Sequence, residues 1–136
     1  MIKPIMKSEF FLRLPSEDAG PDDAATGQDL LDTLHEHEHE CVGLAANMIG
    51  VRKRIICVKD GNRTLLMYNP QILEQVNSYQ TSEECLSLSG ERPCTRYRRI
   101  KVEYLDENFV HRIKNFSGYT AEIIQHEIDH CCGIVI

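Results

Sequence analysis

The chain has 136 residues, of which 42% are hydrophobic, and a formal net charge of −6 at pH 7. This length and composition predict a single domain, residues 1–136, around one hydrophobic core. The acidic balance argues against electrostatic binding to nucleic acid or to an anionic membrane, because both need a basic surface. No apolar run is long enough to cross a membrane, and residues 1–20 lack the pattern of a secretory signal, so we expect a cytoplasmic protein.

The secondary structure in chain order starts with a loop and a helix. Residues 15–28 are rich in Pro, Gly, Asp and Ala, which is typical of a surface loop. A helix over about residues 26–40 should follow, because Leu30, Leu31 and Leu34 fall at helical spacing. One leucine stripe of this helix is predicted to pack on the rest of the protein.

Two β-hairpins are predicted next. The β-rich runs RIICVKD (54–60) and TLLMYN (64–69) are joined by an Asp-Gly-Asn turn. An extended stretch follows Pro70, and then RRIKVEYLD (98–106) and FVHRI (109–113) are joined by an Asp-Glu-Asn turn.

A second helix should close the chain. Ser117 is a plausible amino-terminal cap, the helix runs to about Cys131, and Gly133 stops it. Two helices and five or six strands predict an α+β fold, with antiparallel or mixed β-sheets in hairpins around a central C-terminal helix. That helix carries the motif QHEIDH at 125–130.

The C-terminal motif has the spacing of a metal site. His126 and His130 lie four residues apart, so both imidazoles can reach one ion from a single helix face. Glu127 is placed to contact a water on that ion without being a ligand. A surface helix with scattered polar residues is the alternative, because so short a motif also arises by chance. Two ligands are too few for a tight site, and the third must be a Cys, Asp, Glu or His elsewhere.

A second histidine-rich run competes with this motif. HEHEHEC (35–41) also contains histidines four residues apart, His35 and His39, and ends in Cys41. Because glutamates alternate with these histidines opposite the leucine stripe, we favour a solvated charged face over a metal site.

Three stretches together point to a family. CVGLAANMIGV (41–51), SEECLSLSG (82–90) and QHEIDH occur in this order. The sequence resembles the peptide deformylase family, whose signatures are G-x-G-x-A-A-x-Q, E-G-C-L-S and Q-H-E-x-D-H, and the resemblance covers nearly the whole chain. It implies a metal-dependent hydrolase that removes the N-formyl group from N-formylmethionyl peptides and releases formate, a step of N-terminal methionine processing in protein biosynthesis.

The resemblance also implies roles for individual residues. Cys85, as thiolate, would join His126 and His130 around one divalent transition metal, ferrous iron first, with zinc, nickel or cobalt also accepted. Glu127 would act as general base and then acid, and the backbone amide of Leu86 would donate to the developing oxyanion. A thiolate ligand suits a softer transition metal and argues against magnesium or calcium.

Further residues would hold the substrate. Gly43 and Leu44 would form the edge along which the peptide lies, and Val42, Tyr119 and Ile123 would line the pocket for the methionine side chain. Ordinary core packing is the alternative for these apolar residues.

Other residues would support the metal ligands. Glu83 is expected to pair with Arg96 and hold the ligand strand, while Gln125 and Asp129 are expected to orient the ligand imidazoles. Nascent formylmethionyl peptides are the expected partners of a monomer that contacts neither nucleic acid nor membrane.

The sequence departs from the family pattern at several positions. Met48 replaces the Gln of the first motif, and methionine cannot donate a hydrogen bond. Losing one oxyanion donor costs roughly 100- to 1000-fold in turnover. The activity is therefore expected to be attenuated. The alternative function is a deformylase-like protein that is catalytically weak or inactive and serves in metal binding or regulation. Cys41 and Glu84 stand where the family has Gly, which should narrow the cleft. Cys41 is interpreted as a small apolar filler, with an oxidation-sensitive thiol as the alternative.

Two further points concern the end of the chain and a third functional class. Only residues 131–136 follow the motif, so we expect contacts made through a longer C-terminal extension to be absent. The six cysteines are expected to be free thiols, with Cys131 and Cys132 buried rather than joined in a vicinal disulfide or bound to metal.

A metallopeptidase that cuts internal peptide bonds is disfavoured, because Cys85 is the wrong kind of third ligand for that class.

Overall fold

The computed structural model describes residues 1–136 and contains three α-helices and five β-strands. The elements are α1 (Glu9–Leu12), α2 (Ala24–Glu36), β1 (Gly43–Ala45), β2 (Ile55–Asp60), β3 (Arg63–Glu83), β4 (Arg92–Leu105), β5 (His111–Ser117) and α3 (Gly118–Cys131), with short 3-10 helices at Pro21–Asp23 and Ala46–Ile49. The predicted α+β class is confirmed. None of the helices has both the length and the apolar character needed to cross a membrane.

All five strands form one antiparallel sheet in the order β1-β2-β3-β4-β5. Both predicted hairpins are present. The first turns at Gly61, whose φ of 62° suits a residue without a Cβ. In the second, the Asp106 carboxylate accepts hydrogen bonds from the amides of Asn108 and Val110 at 2.9 and 3.0 Å. Turn chemistry in the sequence therefore located both hairpins correctly.

Strands β3 and β4 are much longer than the runs predicted for them, and they form with each other a third hairpin that was not predicted. β3 has 21 residues and β4 has 14, and their pairing runs from Tyr68 opposite Leu105 to Glu83 opposite Arg92. Register shifts interrupt the pairing between Tyr68 and Glu74, so the inward and outward alternation of side chains is broken there. The following residues 73–78 are all exposed, so the extended stretch predicted after Pro70 has no alternating pattern that would indicate its length or its pairing partner.

Helix α2 is shorter at its C-terminal end than predicted. It stops at Glu36, and residues 37–40 form turns instead of a last helical turn. Leu30 and Leu34 are fully buried upstream, whereas the histidine and glutamate run has no buried side chain that would hold a helix in place.

Helix α3 lies in the core and packs against β1, β2 and β4. It starts after Ser117 and is followed by Gly133, whose φ of 78° ends it as predicted. The Gln125 side chain fastens the helix to β4, since it accepts a hydrogen bond from the Tyr97 amide and donates one to the Tyr97 carbonyl, both at 2.8 Å. Nine helix residues are buried, and four of them are polar. Because buried polar groups need partners, these residues indicate a functional site on α3.

Candidate metal centre

Three side chains with metal-binding atoms converge between the long hairpin and α3. The ligand atoms of Cys85, His126 and His130 all lie within 4.8 Å of one another. Cys85 is on the loop that follows β3, and the two histidines occupy successive turns of α3. The HEHEHEC run forms no such group: His35 and His37 contact Glu38 and Glu40 at 3.2 and 3.5 Å instead.

The environment of these side chains fits a transition metal. The Nε2 atom of His130 is buried and has no hydrogen-bond partner. Burial lowers the pKa of His130 to about 3, so its imidazole is neutral and its ring nitrogen can act as a ligand. The Cys85 sulfur accepts a hydrogen bond from the Ser87 amide at 3.4 Å. One thiol and two imidazoles form a donor set typical of zinc or iron rather than of magnesium or calcium.

A buried ion-pair network orients His126. Its Nδ1 atom lies 2.7 Å from the Glu83 carboxylate. The Arg96 guanidinium donates to Glu83 at 2.7 to 3.1 Å and to Asp129 at 2.6 Å. Burial tends to raise the pKa of Glu83, but hydrogen bonds from His126 and Arg96 outweigh it and leave the pKa well below its usual range. The ionised Glu83 therefore holds Nδ1–H and directs the other ring nitrogen towards Cys85.

The side chains that were expected to orient the metal ligands make partly different contacts in the structure. Glu83 pairs with Arg96 as expected, but Glu83 also contacts His126, a contact that sequence reasoning missed. Asp129 contacts Arg96 rather than an imidazole, and Gln125 bonds to backbone. No local spacing relates residue 83 to residue 126, because the contact depends on the length and register of the hairpin.

Glu127 is a buried carboxyl group beside the ligands. Only 4% of the residue is exposed, and its Oε1 atom has no hydrogen-bond partner. Burial raises the pKa of Glu127 to about 7, so it can both take and return a proton near neutral pH. A Cβ atom on Gly43 would lie 3.1 Å from Glu127 Oε2 and 2.8 Å from Ile123 Cγ2. The absence of a side chain at Gly43 thus lets α3 approach β1.

A cavity of about 830 Å³ opens beside this cluster. Leu86 and four of the five expected substrate residues line it: Val42, Gly43, Tyr119 and Ile123. Tyr119 is exposed at its rim, and Ile123 is buried at its wall. Leu44 does not line the cavity, and its side chain is fully buried in the core.

Strand β1 offers a free edge to the cavity. It pairs only with β2, and the Val42 carbonyl accepts a hydrogen bond from the Lys59 amide. Since successive residues of a strand point their backbone groups in opposite directions, Gly43 presents its N–H and C=O to the unpaired side. The Leu86 amide donates to no protein atom, while its carbonyl accepts a hydrogen bond from Lys7 at 2.8 Å. An extended peptide can therefore add to β1 as a further strand.

The residues that depart from the family pattern also lie at the cavity. Met48, Cys41 and Glu84 all line it. Met48 is 1% exposed and offers no polar hydrogen. Its neighbour Asn47 does not replace the missing amide, because its Nδ2 atom donates to the His130 carbonyl at 3.0 Å.

The cysteines outside the cluster are free thiols, as expected. Cys131 is buried. Cys132 was expected to be buried too, but it is exposed because it follows the last turn of α3.

The site combines a thiol and two imidazoles around one point with a buried carboxyl group and an open strand edge. This combination defines a metal-dependent hydrolase that acts on an extended peptide.

The sequence profile described as polypeptide deformylase matches residues 6–136. The chain is 52% identical over 136 residues, 100% of both chains, to a peptide deformylase of Clostridium beijerinckii. It is 37% identical over 111 residues, 79% of this chain and 74% of the other, to peptide deformylase 1 of Clostridium perfringens.

Solved structures agree with the sequence relatives. A Met-Ala-Ser-bound class I type b peptide deformylase from Acinetobacter baumannii has a TM-score of 0.87 at 29% identity, covering 99% of this chain and 97% of that one. Peptide deformylase from Thermotoga maritima has a TM-score of 0.89 at 27% identity, covering 99% and 95%. The chain belongs to the polypeptide deformylase family. It is a deformylating hydrolase with a metal cofactor, as the resemblance implied, and the non-catalytic alternative finds no support in these comparisons.

Proposed function

We propose that residues 1–136 act as one domain, a cytoplasmic monomer that deformylates N-formylmethionyl nascent peptides without contacting nucleic acid or membrane. The observation that carries the proposal is the buried carboxyl of Glu127, whose Oε1 atom has no hydrogen-bond partner, beside the Cys85, His126 and His130 cluster. A carboxyl in this position suits hydrolysis, since it can relay a proton between a water and a leaving amine.

Cys85, His126 and His130 would hold one divalent transition metal, Fe(II) first, with zinc, nickel or cobalt as substitutes. The donor set supports this assignment, because thiolate and imidazole favour late transition metals over hard cations. When bound, such an ion lowers the pKa of a coordinated water and polarises a carbonyl oxygen. The contact between Glu83 and His126 supports a fixed ligand orientation.

The remaining residues position the substrate. The peptide backbone would bond to the free N–H and C=O of Gly43, which fixes its direction in the cavity. The methionine side chain would then enter the space between Val42, Tyr119 and Ile123. Leu44 supports this edge from the core rather than by contact, since its side chain is fully buried.

The proton steps would rest on Glu127. It takes a proton from the attacking water as the new C–O bond forms, and the Leu86 amide donates a hydrogen bond to the carbonyl oxygen as negative charge develops. Glu127 then passes the proton to the amine nitrogen as the C–N bond breaks. The products are formate and a peptide with a free amino terminus.

The test is formate release from formyl-Met-Ala-Ser by protein loaded anaerobically with ferrous iron. We expect release by the wild type and a loss of roughly 100- to 10,000-fold in Glu127→Gln. Metal content and melting temperature should be close to wild type in this variant, and Glu107→Gln, in the exposed second turn, should be fully active. No formate above buffer from wild type with confirmed metal would overturn the proposal.

A further inference from the structure

Lys7 connects the amino-terminal segment to the ligand loop, residues 84–91, which carries Cys85. Its ammonium group donates a hydrogen bond to the Leu86 carbonyl at 2.8 Å. No carboxylate oxygen lies within 4.0 Å of this ammonium group. Four exposed glutamates line the same cavity, namely Glu38, Glu40, Glu84 and Glu91. The positive charge of Lys7 is therefore directed at a backbone carbonyl and not at an acidic side chain.

The backbone is held in place on both sides of Lys7. The Met6 amide donates to the Met48 carbonyl at 2.7 Å, and the Met6 side chain packs against the core. Ser8 caps α1, since its Oγ atom accepts a hydrogen bond from the Phe11 amide at 3.2 Å. A side chain on a fixed backbone loses less conformational entropy when it bonds than one on a mobile segment. These contacts therefore keep the ammonium group close to the ligand loop.

The peptide group that Lys7 contacts also contacts the Cys85 sulfur. The Leu86 carbonyl and the Ser87 N–H belong to one planar peptide group, and this N–H donates to Cys85 Sγ at 3.4 Å. Only 2% of Ser87 is exposed, so water does not compete for this hydrogen bond. A positive charge at the oxygen of a peptide group makes its N–H a stronger donor, because hydrogen bonds in a chain polarise one another. Lys7 and Cys85 are thus the two ends of one polarised chain.

The strength of a hydrogen bond to a thiolate affects the metal that the thiolate holds. An N–H donor draws negative charge away from the sulfur, so the sulfur donates less charge to the ion and the ion is a stronger Lewis acid. The same peptide group fixes the orientation of Leu86, whose own amide is the proposed donor to the oxyanion. Since Met48 offers no polar hydrogen, stabilisation of that oxygen depends more on the ligand loop.

We infer that Lys7 is a positioning residue that acts on the metal site through the Leu86–Ser87 peptide group and the Cys85 sulfur. The inference rests on the proposed function and adds to it a residue from outside the three motifs. Lys7 lies 79 positions before Leu86 in sequence, so only the fold brings the two together.

Three variants separate the hydrogen bond from its surroundings. Lys7→Met removes the donor and its charge but keeps an unbranched side chain, and Lys7→Arg restores both. Lys114→Met removes the same charge from an exposed position on β5. Because Lys7 is exposed, all three variants should melt at the wild-type temperature.

Two spectra report on the Cys85 sulfur without turnover. In isotope-labelled, zinc-loaded protein, the Ser87 amide proton should move upfield in Lys7→Met, because its hydrogen bond is weaker. In cobalt-loaded protein, the thiolate-to-cobalt charge-transfer band should move to longer wavelength, because the sulfur holds its electrons less tightly. Both signals should return towards wild type in Lys7→Arg and stay unchanged in Lys114→Met.

Turnover then links these spectra to the reaction. We expect kcat for formyl-Met-Ala-Ser to fall roughly 10-fold in Lys7→Met, with KM within about twofold of wild type, because the ammonium group acts through a metal ligand. Wild-type spectra in Lys7→Met would overturn the inference even if kcat falls, since the role of Lys7 would then be merely structural. An unchanged kcat would also overturn it. A wild type that releases no formate contradicts the proposed function, whereas the two spectra still decide whether Lys7 acts on Cys85.

Discussion

Met48 is the residue at which this active site departs most clearly from its family. It is buried at the cavity wall, where the family pattern has the amide of Gln. We expect Met48→Gln to raise kcat roughly 10-fold or more, because an added donor to the developing oxyanion is worth up to about 100- to 1000-fold in hydrolases. The measurement is steady-state formate release, with KM expected to change little.

Met48→Leu is the matched control for this prediction. It keeps an apolar side chain of similar volume, so kcat and melting temperature should stay near wild type. If Met48→Gln turns over no faster than Met48→Leu, residue 48 does not limit stabilisation of the oxyanion. The backbone amide of Leu86 is then the remaining candidate donor to that oxygen.

Gly43 is the residue that sets the distance between strand and helix. A Cβ atom added at Gly43 would lie 2.8 Å from Ile123 Cγ2 on the helix and 3.2 Å from the Cys57 carbonyl oxygen on β2, so neither side leaves room for it. We expect Gly43→Ala to cost about 1 to 3 kcal/mol of unfolding free energy, through overpacking. Formate release should fall roughly 10- to 100-fold, since Glu127 is displaced with the helix.

Gly20→Ala serves as the reference for that substitution. No heavy atom lies within 4 Å of a Cβ there, and the backbone φ of −136° suits any residue. Urea unfolding and formate release should both match wild type. Full activity of Gly43→Ala would show that the β1–α3 spacing does not govern the position of Glu127.

At the scale of elements, turn chemistry and periodicity predicted the two hairpins and the last helix. They indicated an extended stretch after Pro70 but not its length or its pairing with β4, because the register shifts and the exposed residues that follow remove any alternating pattern. The ligands of the site were implied by short motifs, but the contact of Glu83 with His126 was not. That contact joins the end of a 21-residue strand to a helix 43 positions away in sequence.

Arg96 joins three elements through one buried side chain. From β4 it bonds to Glu83 at the end of β3 and to Asp129 on α3. We expect Arg96→Met to lower the free energy of unfolding by roughly 3 to 5 kcal/mol, because two carboxylates lose their buried partner. Metal affinity should fall about 10- to 100-fold, since Glu83 no longer holds His126 in place. Urea unfolding and competition with a chelator measure the two effects.

Arg98→Met controls for the loss of an arginine from the same strand. Arg98 is exposed and lies over the Tyr79 ring, 4.7 Å from its centroid. Its loss should cost at most about 1 kcal/mol and leave metal affinity unchanged. Equal effects of the two substitutions would mean that the buried network contributes no more than a surface contact.

For the whole molecule, the metal should contribute to folding. His130 Nε2 is buried without a partner, and an unsatisfied buried group costs about 1 to 3 kcal/mol. We expect chelation to lower the melting temperature and excess Fe(II), Ni(II) or Zn(II) to raise it. The stabilisation should reach about 4 kcal/mol when free metal exceeds Kd by about a thousandfold.

Two cysteine variants complete this test by calorimetry. Cys85→Ser should lose most of the metal-dependent rise in melting temperature, while Cys132→Ser, exposed beyond the end of α3, should keep it. A rise of the same size in both variants would place the stabilising metal outside the proposed cluster.

The unpaired edge of β1 also bears on how copies of this protein behave in concentrated solution. A strand edge that accepts a peptide can equally pair with another chain, and such edges promote aggregation. Here the edge is three residues long, too short to hold two sheets together, and glutamates surround it. Repulsion between these carboxylates opposes the approach of a second acidic copy, so the charge at the cavity mouth also works against edge-to-edge pairing of strands.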